Sequence, residues 1–330
     1  MAKDELNVDN IIKEAQKLLI ENKTEWVERY EGYAKATLSH IASIAKNRRK
    51  FHEYPPLRFY ISTTNVKNAR NMLLVDVRYR GQSVATLKAT QTGVVISTKR
   101  QNVNNKKHFN CNIELSDVSW RGPEAQKFRE YFKTAENTRN NKGKKNEEHN
   151  VESLLLSEFS KRSSKDKPIR GIQPVKICGM RFGMPTPISA SDHKNPLRYA
   201  KQYGGGIDFF ARTGGGSHST YLTIIEVKDE NKSTEPPKDA LKQAIQYAVF
   251  IRELLRSDCG ADWYQIFGFS GKRPQSLMIR VACAMPDDIL DESFANKTYP
   301  IGNDVIECHY IYFKYDGKQL SNFQTSLLKG

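Results

Sequence analysis

This chain of 330 residues has few cysteines and no long hydrophobic run. Its five cysteines are odd in number, widely scattered and without a C-x-x-C pair, so the sequence predicts neither a disulfide framework nor a zinc site. No apolar run approaches the roughly 20 residues that a membrane-spanning helix needs. The N-terminal MAKDELNVDN also lacks the basic and apolar regions of a signal peptide. We therefore expect a cytoplasmic protein without a membrane partner.

Phosphate-binding glycine motifs are missing as well. The glycine runs at 204–206 and 214–216 do not match G-x-G-x-x-G, and neither run is followed by G-K-[ST]. The sequence therefore predicts no nucleotide cofactor. Helix-turn-helix and zinc-finger spacings are absent too, so no recognisable sequence-reading module is indicated.

Acidic residues are scarce relative to basic ones. The chain carries 52 Lys or Arg against 37 Asp or Glu, which gives a formal net charge of +15. The excess is concentrated at 41–110, where 14 basic residues stand against only Glu53 and Asp76. Because basic residues neutralise phosphates and release counterions, we expect this region to bind a polyanion. The alternative is a basic surface that serves solubility or meets an acidic protein or a membrane surface.

Periodicity divides the chain into two domains joined by a polar segment. Residues 8–47 repeat apolar positions at helical spacing, and four β-rich segments between 57 and 100 predict a small antiparallel sheet. A helix opened by Pro123 follows, and after it the stretch TRNNKGKKNEEHN has no apolar residue. We expect a basic α+β domain at 1–136, a linker at 137–149 and an α/β domain at 150–330.

The C-terminal domain is expected to combine helices and strands. The segment VESLLLSEFSKR and the run from Lys238 to Arg256 are typical of helices. The segments that are typical of strands are VKICGMRF, WYQIFGFS, LMIRVACAM and IECHYIYFKYD. This order predicts a mixed sheet flanked by helices.

Basic residues in both domains are candidates for DNA contact. Arg78 and Arg80 have the same parity along a predicted strand, so one face of the N-terminal sheet is expected to present arginines outward. Charge that protects a sheet edge against aggregation is the alternative. The full set of DNA-binding candidates is Arg78, Arg80, Lys88, Lys99, Arg100, Lys242 and Arg252.

Two carboxylates and an ammonium group are expected to meet at one sheet edge. Asp208 belongs to one apolar strand, and Glu226 and Lys228 belong to the next. Side chains two apart in a strand share a face, so Glu226 and Lys228 project together while Val227 turns into the core. Such a group can hold a hard divalent cation and steady a water or phosphate, as metal-assisted phosphodiester hydrolysis requires. A structural ion cluster is the alternative.

The spacing of these residues resembles a known family. Asp208, seventeen intervening residues and then Glu226-Val227-Lys228 resemble the core of the PD-(D/E)XK nuclease superfamily, over residues 151–286. One departure is Ile207, which stands where the motif's name has proline. The resemblance implies a restriction-endonuclease-like fold, in which a mixed central sheet is flanked by helices.

A second motif follows on the next predicted helix. Gln243 and Tyr247 match the QxxxY signature of RecB-like members of the superfamily. The resemblance implies that both side chains contact the phosphate of the cleaved strand or orient the groups of the active site. An ordinary half-buried aromatic is the alternative for Tyr247.

The resemblance also implies a metal-dependent enzyme. Asp208, Glu226 and the Val227 carbonyl would bind Mg²⁺, for which Mn²⁺ would substitute, with a glutamate of the first core helix as a further ligand. Glu152 is the preferred glutamate, and the other glutamates available are Glu148 and Glu158.

The expected function is a Mg²⁺-dependent DNA endonuclease of the restriction or host-defence type. It would act on double-stranded DNA as a homodimer, since two sites are needed to cut both strands. A RecB-like exonuclease or structure-specific repair nuclease would share the same residues. The other alternative is a DNA-binding protein that keeps the nuclease fold without turnover.

Overall fold

A computed structural model describes residues 6–63, 72–98, 109, 111–138, 147–161, 163, 165–190, 196–201, 204–214 and 220–328. These residues form seven helices, α1 (Val8–Glu21), α2 (Lys23–Ser39), α3 (Ile41–Arg48), α4 (Pro123–Thr138), α5 (Glu147–Phe159), α6 (Pro237–Arg256) and α7 (Gly260–Ile266). Not one helix in this described part is both long enough and apolar enough to cross a membrane.

The same residues form fourteen strands. They are β1 (Arg58–Ser62), β2 (Leu73–Tyr79), β3 (Gln82–Ala89), β4 (Val94–Thr98), β5 (Val118–Ser119), β6 (Ile172–Pro174), β7 (Arg181–Pro185), β8 (Gly206–Ile207), β9 (Phe209–Thr213), β10 (Tyr221–Val227), β11 (Met278–Pro286), β12 (Thr298–Ile301), β13 (Asp304–Tyr315) and β14 (Leu320–Thr325). Parallel and antiparallel pairs both occur in the two sheets, so the predicted α/β class is confirmed.

The chain divides into two compact units. The first comprises Met1–Ala34, Leu154–Val175 and Met184–Gly330, and the second comprises Lys35–Ser153 and Lys176–Gly183. These units differ from the contiguous domains expected at 1–136 and 150–330. Of the expected linker at 137–149, residues 139–146 lie outside the described part, and 147–149 form the first turn of α5.

The first unit is built on a sheet in the order β12-β13-β11-β10-β9-β6, with β14 also paired to β13. Strands β10, β11 and β13 run parallel to one another, whereas β9 is antiparallel to β10. Strand β10 is buried at every position after Tyr221, as expected for a central strand that is covered on both faces. The chain segment that carries Glu226 therefore lies at the centre of this sheet.

Helix α6 covers one face of the sheet and is in turn covered by α1. Pro237 opens α6, where a missing N–H costs nothing, and the helix packs against β10 and β11. The apolar stripe of α1 packs on α6, and its buried residues are Val8, Ile11, Ile12, Ala15 and Leu19. This contact places α1 in the first unit. It joins residues that are more than two hundred positions apart, so local periodicity does not predict it.

The strand predicted at WYQIFGFS is wrong, because the first half of this segment belongs to helix α7 and the second half is not in a strand. Its buried residues Trp263, Ile266 and Phe267 recur at helical spacing. Trp263 donates its ring N–H to the Tyr30 carbonyl at 3.1 Å, and the two rings lie 6.0 Å apart. Aromatic residues favoured a strand by propensity, but the distant partner Tyr30 stabilises the helix.

The second unit contains a sheet in the order β5-β4-β3-β2-β1-β7. The first five strands are antiparallel to their neighbours, which confirms the predicted small sheet, but β7 runs parallel to β1. The single strand predicted at VKICGMRF is interrupted. A tight turn with positive φ at Cys178 and Gly179 joins Ile177 to Met180, and β7 begins only after it.

Candidate functional site

The pairing of β9 with β10 sets Asp208 beside Glu226. Ile225 pairs with Phe209 in this antiparallel ladder, so the next pair in the same register is Glu226 with Asp208. An oxygen of the Asp208 carboxylate lies within 4.8 Å of a carboxylate oxygen of Glu226. Asp208 also accepts a 2.7 Å hydrogen bond from the Val227 N–H, which fixes its direction.

Lys228 adds a buried positive charge to this pair. Its Nζ lies 3.1 Å from Oε1 of Glu226 and 3.9 Å from Oε1 of Glu235. Glu226 is only 1% exposed and Lys228 only 7% exposed. The Lys228 N–H donates to the Ala284 carbonyl at 2.9 Å, which continues the pairing of β10 with β11. Charges this deeply buried are costly unless they are paired, so their presence together needs a structural or a functional reason.

Gln243 and Tyr247 project together from α6. Gln243 donates its amide N–H to the Tyr247 hydroxyl at 3.2 Å, and both side chains are buried. Burial raises the pKa of Tyr247, and the negative charges of Glu226 and Asp208 raise it further, whereas the hydrogen bond from Gln243 and the charge of Lys228 lower it. Tyr247 is therefore a neutral phenol at neutral pH, and both carboxylates affect its pKa electrostatically.

The donor set fits a hard divalent cation. Two adjacent carboxylates with main-chain oxygens nearby are the ligands that Mg²⁺ uses, and Mg²⁺ commonly needs only one or two carboxylates because it keeps several waters. Cysteine and histidine ligands, which zinc and copper prefer, are absent from this set. Lys228 is the counter-charge for Glu226 and also lies near Glu235, so carboxylates outnumber the ammonium group here, which favours the binding of a cation.

Glu152, the preferred third ligand, belongs to a charged cluster of the second unit. Its carboxylate lies 3.3 Å from Nδ1 of His149, and this hydrogen bond is the main cause that raises the pKa of His149. Burial raises the pKa of Tyr60, and the charge of Glu152 adds to that effect. Among the alternatives, Glu148 lies in the first turn of α5, and Glu158 forms an ion pair with Lys161. The third ligand stays a prediction.

The DNA-binding candidates of the N-terminal sheet do not form a row of outward arginines. Arg78 bonds to Asp76 at 2.7 Å, and its guanidinium stacks 4.2 Å above the Tyr60 ring. Arg80 lies in the turn after β2 with φ 45°, so the alternation of that strand does not reach it. Lys88 pairs with Asp117 at 2.9 Å. Lys99 and Arg100 lie outside the described residues.

The two candidates on α6 differ from each other. Arg252 bonds to Asp304 at 2.8 Å and to Glu253 at 2.6 Å. Asp304 is almost fully buried and also accepts the Leu277 N–H, so Arg252 has a role in holding the first unit together. Lys242 lines a surface cavity and is only partly buried.

Sequence reasoning missed two groups of residues. Glu235 lies near Lys228, but its seven-residue separation from Lys228 in a loop carries no periodic signal. Arg181 forms an ion pair with Glu53, and its guanidinium lies 5.7 Å from the Tyr60 ring. That contact spans more than a hundred residues of chain and depends on the parallel pairing of β7 with β1.

Comparisons with protein-family models, with curated proteins and with solved structures each found no match.

Proposed function

We propose that this chain is a Mg²⁺-dependent deoxyribonuclease that hydrolyses phosphodiester bonds within DNA. The observation that carries the proposal is the meeting of Asp208 and Glu226 at adjoining strand ends, with Lys228 beside them. The resemblance of these residues to the PD-(D/E)XK motif, and the match of Gln243 and Tyr247 to QxxxY, support the same function.

Asp208, Glu226 and the Val227 carbonyl would hold the cation. When bound, it would supply positive charge that polarises the phosphate and lowers the pKa of a coordinated water. The Val227 N–H fixes the Asp208 carboxylate, and Lys228 fixes one oxygen of Glu226, so both acids are oriented in advance. Such preorganisation contributes to catalysis because little reorientation is needed during the reaction.

Tyr247 has a fully buried hydroxyl, which would donate its proton to a phosphate oxygen when DNA is bound. Its oxygen accepts the Gln243 N–H, which leaves the phenolic O–H free to donate elsewhere. The raised pKa keeps that proton in place at neutral pH. Lys228 would stabilise the negative charge that develops on the phosphate or position the attacking water.

The basic composition at 41–110 supports a polyanionic substrate, and the absence of helicase or ATPase motifs supports a restriction or host-defence endonuclease. Double-strand cleavage would require a homodimer that places two sites on one duplex.

Cleavage of supercoiled plasmid by the wild type, Glu226→Gln and Lys228→Met, with Mg²⁺ and with chelator, tests the proposal. The control is Glu230→Gln, which changes an exposed glutamate in the loop after β10. We expect both site variants to lose at least about a hundredfold in rate, as removal of a preorganised charge-stabilising group does, while the control retains activity. Equal behaviour of all four proteins would favour a DNA-binding protein without turnover.

Comparison of closed circular with linear DNA identifies the mode of cleavage. An endonuclease nicks or linearises the circle, whereas an obligate exonuclease leaves the closed circle intact and degrades only the linear form. The second result would replace the restriction-type assignment by a RecB-like exonuclease with the same site residues.

A further inference from the structure

A cavity in the first unit lies next to the QxxxY motif. Its volume is about 450 Å³, within the range of sites that bind small organic molecules. Its lining residues come from helices α1 and α6 and from the segments at 189–190 and 196–197. All of its lining residues belong to the first unit.

Two largely buried glutamines of α6 contribute their amide groups to the lining. Gln243 is 7% exposed and Gln246 is 4% exposed, and their positions three residues apart place them on neighbouring parts of the α6 surface. Gln243 uses its N–H on Tyr247. The Gln246 side chain forms no hydrogen bond to another described residue, and its amide atoms are not among the fully buried polar atoms, so they face the cavity that Gln246 lines. A bound molecule that offers both a donor and an acceptor would replace the water that this amide otherwise contacts.

The charges of the cavity argue against a phosphate as its occupant. Three acids line it, Glu14, Glu21 and Asp239, against two lysines, Lys17 and Lys242. A net negative lining repels an anion. Leu18, Ala190, Pro196 and Leu197 add apolar surface. The lining therefore suits a flat, uncharged molecule with hydrogen-bonding edges and apolar faces.

We propose that this cavity binds one nucleobase of the DNA substrate, belonging to the nucleotide beside the cleaved phosphodiester. The inference rests on the proposed nuclease function and specifies its substrate. A base can enter such a cavity only when it is unpaired, so the enzyme acts on a single-stranded segment or on a nucleotide that is turned out of the duplex. Glutamine amides are suited to base edges because they offer a donor and an acceptor side by side.

Gln243 connects the cavity to the carboxylates. Gln243 lines the cavity and also donates a hydrogen bond to the Tyr247 hydroxyl. The charges of Glu226 and Asp208 in turn raise the pKa of that hydroxyl. If a base binds to the Gln243 and Gln246 amides, the Gln243 side chain lies between that base and the Tyr247 hydroxyl, which is proposed to bind the phosphate. This arrangement couples recognition of the base to placement of the adjoining phosphate.

The test uses Gln246→Leu, which keeps the volume of the side chain but removes its amide, and Gln265→Leu as a matched control on the exposed face of α7. Binding of the four deoxynucleosides, which carry no phosphate, is measured by saturation-transfer NMR in the presence of chelator. We expect the wild type and the control to bind, and Gln246→Leu to bind about tenfold more weakly, in line with the loss of one good base contact.

A second measurement uses a single-stranded oligonucleotide in which an abasic site is moved along the sequence around the cleavage position. Removal of the one base that enters the cavity should raise KM about tenfold in the wild type and have little effect in Gln246→Leu. Equal nucleoside binding by both proteins, binding by neither, or a KM that no abasic position changes would overturn the base pocket. Normal cleavage with any of these results would leave the nuclease proposal intact. Absence of cleavage with Gln246-dependent nucleoside binding would remove the nuclease proposal and retain the pocket.

Discussion

Asp208→Asn is the substitution that best separates a metal site from a structural ion cluster. The asparagine oxygen can still accept the Val227 N–H, so the local backbone geometry is kept. What is lost is one negative charge within 4.8 Å of Glu226. At that distance and an effective dielectric constant of about 20, two like charges repel by about 3.5 kcal/mol. The attraction between Lys228 and Glu226 is unchanged by the substitution.

Without metal, the variant should therefore be more stable than the wild type, by about 1 kcal/mol once the partial compensation by Lys228 is included. When Mg²⁺ is present, the wild type should become the more stable of the two proteins. A cation at ten times its Kd stabilises the wild type by RT ln 11, which is about 1.4 kcal/mol. The variant should gain almost none of this, because a cation at its site meets one carboxylate in place of two.

Urea denaturation at pH 7, with chelator and with Mg²⁺ at ten times its Kd, measures both effects. Asp258→Asn provides the control, since Asp258 is exposed and belongs to the same unit. The reasoning is refuted if Asp208→Asn is less stable than the wild type in chelator, as the loss of a structural ion pair would make it. An undiminished response of the variant to Mg²⁺ would refute it equally.

Further substitutions test other parts of the site and of the first unit. Tyr247→Phe removes the acceptor of the Gln243 N–H, so it should cost about 1 kcal/mol in urea denaturation and should lower kcat more than it raises KM in plasmid cleavage. Asp304→Asn should cost about 3 kcal/mol at pH 7, because it removes the buried carboxylate that pairs with the partly buried Arg256 guanidinium. Burial tends to raise the pKa of Asp304, but hydrogen bonds from Arg256, the Leu277 N–H and Arg252 outweigh it and hold the pKa below 3.8. This stabilisation is present above pH 3.8 and is lost as the pH falls through the lowered pKa, so acid titration of stability should be shallower in the variant than in the wild type. Lys242→Ala should reduce the salt dependence of DNA binding by about one unit of slope if Lys242 contacts a phosphate.

Much of the fold follows from local periodicity. The alternation in β2 between buried and partly exposed positions, and the apolar stripe of α4 through Ala125, Phe128 and Phe132, are visible in the sequence and appear in the structure. Helix α6 differs from the amphipathic run that the sequence predicts, because residues 243–251 are all buried. The proximity of Asp208 to Glu226 was also predictable, because their strands are neighbours along the chain and form an antiparallel pair.

The remaining features depend on contacts between distant parts of the chain. Helix α7 forms where aromatic content favoured a strand, since Trp263 packs on Tyr30. Glu152 lies near the start of a predicted helix, but its bond to His149 and its effect on the pKa of Tyr60 depend on the packing of the first part of α5 in the second unit. The stacking of Arg78 on Tyr60 likewise requires the pairing of β1 with β2. The alternation of side chains along β2 alone does not predict this pairing.

A crystal soaked with Mn²⁺ and recorded near the manganese absorption edge tests the central claim most directly. The account predicts an anomalous peak bound by carboxylate oxygens of both Asp208 and Glu226, at about 2.0 to 2.6 Å, the range for hard cations and oxygen ligands. A peak ligated by other residues, or no peak at a Mn²⁺ concentration that supports cleavage, would contradict it.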